Sequence, residues 1–163
     1  MRNKKVMHIV QGAAIAAVYV ILVVLFGSVS FGPIQFRIAE ALTILPFFTP
    51  TAIPGLFVGC ILANLLGGAI PADIIFGSLA TLIGAFGSYA LRKNKWLVPL
   101  PPIVANMLIV PFVLKFGYGL TDAIPYMMLT VGLSEVIICG IIGLIFLHAL
   151  MPLKYKIFQP NLP

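Results

Sequence analysis

The sequence predicts an all-α membrane protein of six transmembrane helices with both termini in the cytoplasm, and three observations lead there. Of its 163 residues, 61% are hydrophobic and only 9% charged, with mean hydropathy +1.15, whereas a soluble domain carries about 25% charged residues. Apolar runs alternate with proline and glycine junctions at Pro33, Pro50/Pro54, Gly67-Gly68, Pro101-Pro102 and Gly117/Gly119. Basic residues, finally, gather in alternate junctions.

The start, MRNKKVMHIV, is basic and leads into an apolar run from Val6 to Gly27. That run exceeds the roughly 7–15 residues of a signal-peptide core and lacks a small-x-small cleavage site. It reads as a first transmembrane helix with a cytoplasmic amino terminus. Ala13 and Ala17 lie four apart on one of its faces, and Gly12 and Ala16 form a second small pair beside them. Small residues let another backbone approach closely, whether from the same bundle or from a partner chain.

The next stretch opens with Arg37 and Glu40 and then carries no charge for the 32 residues from Ala41 to Ala72, with Pro46, Pro50 and Pro54 inside it. As one helix it would be about 48 Å long, too long for a hydrocarbon core of about 30 Å. Two short spans, or a re-entrant hairpin of the same parity, fit better. The full set of expected spans is about 7–27, 37–48, 54–68, 72–91, 100–118 and 123–150, within one membrane domain covering 1–163. No internal repeat, linker or low-complexity segment interrupts them.

Six spans from a cytoplasmic start place Arg2, Lys4, Lys5, Arg92, Lys93, Lys95, Lys154 and Lys156 inside, and leave only Arg37 and Lys115 of ten basic residues outside. That bias is the one cytoplasmic loops show. Five spans would put the RKNK cluster outside and are disfavoured.

The acids follow another pattern. Glu40, Asp73 and Asp122 fall at outer helix ends, and Glu135 lies well inside the last span. A carboxylate within the hydrocarbon core costs a few kcal/mol and points to function, so Glu135 is the first candidate for a ligand contact. Asp73 and Asp122 read first as first-turn acids favoured by the helix dipole. Arg37 and Glu40, at i,i+3, are placed to neutralise each other. Asn64 and Asn106 are polar groups in apolar spans, suited to interhelical hydrogen bonds or to a ligand. Pro111 shares a helix with Asn106 and frees a backbone carbonyl there. Cys60 and Cys139 sit in apolar runs as small buried thiols, with no metal-type spacing.

The stretch FRIAEALTILPFFTPTAIPGLFVGCILANLLGG, followed by DIIFGSLATLIGAF and PLPPIVANMLIV, resembles the queuosine-precursor transporter (QueT) family, the substrate-binding (S) components of energy-coupling factor importers. The resemblance runs from the first helix to about Leu150. It implies six helices, a modified purine base bound near the outer face, and partnership with a shared membrane subunit and two ATPases. It implies docking of that subunit on the A-x-x-x-A face at Ala13 and Ala17, and a pocket built by the first loop, Phe31–Arg37, with Asp73, Asn106 and Glu135. The family commonly has serine where this chain has Ala39.

The residues themselves suit a 7-deazaguanine. Its N–H edge offers a bidentate donor pair to Glu135, and its carbonyl accepts from Asn106 or Asn64. Its flat ring has Phe36, Phe112, Tyr118 or Tyr126 as stacking faces. Arg37, Glu40 and Asp73 complete the outer set. No G-x-x-x-x-G-K-[ST] loop occurs, so ATP hydrolysis is expected on partners rather than on this chain. Neither cofactor nor nucleic acid is expected. The competing classes are an S component for another vitamin-like nutrient and a self-sufficient proton-coupled carrier, which inverted repeats would favour. An intramembrane enzyme finds no support, since His8 and His148 lie at cytoplasmic helix ends.

Overall fold

The computed structural model describes residues 4–27 and 36–158. The Phe31–Gln35 part of the expected pocket loop lies outside them. Helix α1 is Lys4–Leu25, followed by a 3₁₀ segment Ile38–Phe47, α2 at Ala52–Leu66, α3 at Pro71–Ala90 and α4 at Leu100–Phe112. Helix α4 continues as a π turn, Val113–Gly117. Helix α5 (Ile124–Glu135) passes through a π segment, Val136–Ile142, into α6 (Gly143–Leu150). No strand occurs among the described residues.

Among the described residues, four helical stretches are long and apolar enough to cross a membrane: Lys5–Leu25, Pro71–Ala90, Leu100–Gly117 and Ile124–Ile157. The last runs past the expected end at 150 because Pro152 opens the short turn Met151–Leu153, a position where its missing N–H costs nothing. The two short apolar helices, Ile38–Phe47 and Ala52–Leu66, fall where short second and third spans were expected. They divide the charge-free stretch at Phe48–Thr51, so no single long helix forms there.

The 3₁₀ segment is the centre of the bundle. It touches α1, α2, α3, the π segment and α6, and Ala39 to Pro46 are buried. At about 2.0 Å per residue, ten 3₁₀ residues reach about 20 Å, and three residues per turn stack every third side chain. Glu40 and Thr43 therefore share one face. Thr43 donates its hydroxyl back to the Glu40 carbonyl at 2.6 Å, and Pro46 has no N–H to give. Both features work against an ordinary α ladder.

The main core lies around this segment, with Tyr19, Val23, Ile44, Leu56 and Leu147 fully buried. A smaller cluster of Val110, Leu114, Met127 and Val131 joins α4 to α5. Outward-facing side chains are apolar: Ile9 is 70% exposed, Leu129 70% and Phe116 75%. Water would not tolerate that surface over a whole bundle, and lipid would. The chain is a multi-pass membrane protein.

Helices α1 and α2 run side by side in the same direction along a seam of small residues. A Cβ on Gly55 would lie 2.7 Å from the Gly12 carbonyl oxygen, and one on Gly59 would lie 3.0 Å from the Ala16 Cα. Only glycine allows this approach. Different contacts close the two ends of the bundle. His8 meets Thr51 at 3.5 Å, Gln11 donates to the Ile157 carbonyl at 3.0 Å, and Trp96 packs against His148. Arg37, Asp73 and Tyr118 meet at the opposite end.

Candidate functional site

The site is built where the 3₁₀ segment passes α2 and α3. Arg37 Nη2 lies 3.0 Å from Asp73 Oδ2, and both side chains are buried. Tyr118, from the turn after α4, donates its hydroxyl to the same Asp73 oxygen at 3.1 Å. Burial, and then the Asp73 charge, push the Tyr118 hydroxyl above its ordinary value, so it remains a donor at neutral pH. Asn64 donates to the Asp73 backbone carbonyl at 3.2 Å, an interhelical bond that joins α2 to α3.

Two expectations are corrected here. Arg37 pairs with Asp73 rather than with Glu40: it is the N-cap, in extended backbone just outside the 3₁₀ segment, and its guanidinium reaches Asp73 at the start of α3. Asp73 does stand in the first turn of α3, as expected, and it is also fully buried beneath Arg37 and Tyr118. Glu40 has other company: Tyr19 and Thr81 both donate to its Oε1, Thr81 at 3.0 Å. Thr81 also reaches Cys60 Sγ at 3.5 Å. Asp122, expected in a first helical turn, instead lies exposed ahead of the α5 N-cap Ala123, and Lys115 donates to its backbone carbonyl at 2.9 Å.

Deeper along the last helix, Glu135 is buried but not alone. Asn106 donates to its Oε1 at 3.1 Å, and the Cys139 thiol to its Oε2 at 3.0 Å. Cys139 also lies 3.3 Å from the Glu40 carbonyl oxygen, which links the two acids through the 3₁₀ backbone. The helix widens into its π segment directly after Glu135, and α4 does so after Pro111, whose freed carbonyl disturbs the ordinary ladder. Such widened turns recur at functional sites.

The structure thus brings together Arg37, Glu40, Asn64, Asp73, Asn106 and Glu135. It does not bring Phe112 or Tyr126 to them: Tyr126 is 59% exposed and Phe112 44% exposed, Phe112 lining a groove of about 400 Å³ with Phe76 and Phe116. Phe36 is half-buried beside Arg37 in the chain. Of the aromatic candidates, Tyr118 is the one bonded to the cluster. Among the described residues, no three histidine, cysteine or acidic side chains are grouped to hold a metal ion.

Sequence reasoning missed Tyr19, Thr43, Thr81 and Cys139 as partners of the acids, and Cys60 as a neighbour of Arg37, Asn64 and Thr81. For Cys139 a signal existed, since Glu135 and Cys139 are i,i+4 on one helix. Of the four small residues on α1, Ala16 is buried and Gly12 half-buried against α2, while Ala13 and Ala17 are exposed. A groove of about 590 Å³ runs beside them between α1 and α2, past His8, Ile9, Thr51, Pro54 and Val58.

Comparison with known proteins adds a family. The family model described as QueT transporter matches residues 9–152. Over 85 residues, 51% of this chain and 50% of the relative, the sequence is 40% identical to a protein of Lactococcus lactis subsp. cremoris (strain MG1363) named "Queuosine precursor transporter QueT". The matched stretch thus spans about half the length of that relative. No solved structure matches the chain.

Proposed function

The chain belongs to the QueT transporter family, and we propose that it is the substrate-capturing component of an energy-coupling factor importer for a queuosine precursor. The observation that carries this reading is the buried polar cluster at one end of an otherwise apolar bundle. Polar groups at that depth persist where they serve a ligand. The name of the Lactococcus relative supports a 7-deazaguanine as that ligand. In this assignment Glu135 and Asn106 read the pyrimidine edge, with Arg37, Asp73 and Tyr118 nearer the opening and Glu40 between them.

Six spans with both termini in the cytoplasm fit the same reading. The turn before α2 lies level with His8, and α1 runs on to Leu25, about 25 Å further. The 3₁₀ segment and α2 thus each cover most of a bilayer. Ile157 lies beside Gln11, which favours chain ends on one side, where the basic junctions also lie. The exposed Ala13–Ala17 face is the surface for a shared membrane subunit, and two ATPases supply the energy.

Calorimetric titration of the purified chain tests the function, using the nitrile, aminomethyl and queuine bases with guanine and riboflavin as controls. Saturable binding of a deazaguanine is expected, weakened at least about tenfold by Glu135→Gln. Binding of riboflavin with none of the deazaguanines would reject it. Sustained accumulation in vesicles holding this chain alone would reject dependence on partner ATPases.

A further inference from the structure

We infer, resting on the function just proposed, that the ligand of this site carries a protonated amine. Among queuosine precursors the site then takes the aminomethyl base and queuine in preference to the nitrile. Three features of the cluster converge on this.

The first is charge. Glu40, Asp73 and Glu135 are 1%, 0% and 5% exposed, and Arg37 is the one cation among the buried charged residues described. Glu135 has a neutral donor on each oxygen, so two carboxylates, Glu40 and Asp73, face one guanidinium. Lys115 is half-buried and turned to the carbonyls of Thr121 and Asp122, so it offers no compensation. An unpaired charge away from water is strongly unfavourable, and a second cation relieves it.

The second is donor supply. Both oxygens of Glu135 already accept a hydrogen bond. Glu40 Oε2 and Asp73 Oδ1 are buried and accept none. An ammonium group brings three donors and no acceptor, which matches two bare acceptor oxygens. A nitrile brings only an acceptor, and its nitrogen would meet carboxylate lone pairs.

The third is space. A Cβ on Gly77 would lie 2.6 Å from Asp73 Oδ1, and 3.5 Å from both Arg37 Nη1 and Asn64 Nδ2. Glycine at this position lets Asp73 Oδ1 settle against the α3 backbone where three polar groups converge, and a larger side chain would displace it.

The test compares three bases on the purified full-length chain by calorimetry: the aminomethyl base, the nitrile base and the N-acetylated aminomethyl base, which keeps the bulk but loses the charge. The amine is expected to bind at least about tenfold more tightly than either neutral base. Glu40→Gln is expected to lower that ratio toward one. The comparison on the unaltered chain needs no substitution, so a variant that fails to fold leaves the test intact. Equal affinity for the three bases would overturn the amine while leaving the precursor function standing. No binding of any of them would overturn both.

Discussion

Asp73 and Glu135 are both carboxylates sealed inside the bundle, yet they are held in opposite ways. Glu135 has two neutral donors, Asn106 and Cys139, one on each oxygen. Asp73 has a full ion pair and a phenol on one oxygen and nothing on the other. Depth alone ranks Glu135 first; counting donors ranks Asp73 and Glu40 first. The difference teaches that in lipid a buried acid is informative through what remains unmet around it, more than through how far in it sits.

The sharpest way to break this comparison is to remove the cation. Arg37→Met strands Asp73 and is expected to destabilise the protein by about 3–5 kcal/mol, read by thermal unfolding in detergent. Asn106→Ala takes one neutral donor from Glu135 and is expected to cost about 1–3 kcal/mol. Equal losses would mean that the two sites are not held differently after all.

The next effect comes from space. Gly77→Ala drives a methyl against Asp73 Oδ1 and is expected to cost about 1–3 kcal/mol of stability and most of the ligand affinity. Gly55→Ala is a control of similar steric cost, because its Cβ meets the Gly12 backbone, and it is expected to spare affinity in the folded fraction. If both abolish binding alike, the gap over Gly77 is ordinary packing.

The smallest effect is expected from Tyr118→Phe, about 0.5–1.5 kcal/mol. Because the Tyr118 hydroxyl titrates above its ordinary value, its contribution is fully present below about pH 10 and is lost as the pH rises past it. The stability difference between Tyr118→Phe and the parent should therefore stay flat between about pH 6 and 9. A slope in that window would show that the phenol is not the donor to Asp73.

Much of the fold was legible in the sequence because lipid enforces simple rules. Hydropathy and scarce charge pointed to an all-helical membrane protein, and proline punctuation marked the break between Ile38–Phe47 and Ala52–Leu66. The small-residue pairs on α1 were visible too, but not which neighbour took which. Gly55 and Gly59 on α2 carry that answer, and a single helix face cannot show its partner. The site was legible as a set of residues and not as a set of bonds. Arg37 and Glu40 looked like a pair because i,i+3 neighbours touch on an ordinary helix. Each instead finds its own partner, Asp73 for Arg37 and Tyr19 for Glu40, on helices distant in the chain. Tyr19 and Thr81 read as unremarkable members of apolar spans, and only assembly reveals them as donors.

That tight winding has a mechanical corollary. Relaxed to an ordinary helix, the ten residues Ile38–Phe47 would shorten by about 5 Å, and successive side chains would fan out around the axis instead of stacking. Glu40 and Thr43 would then point apart, like spokes leaving a common line. Pitch and charge alignment are thus one degree of freedom in this stretch, so any force that stretches or slackens it also gathers or scatters its polar face.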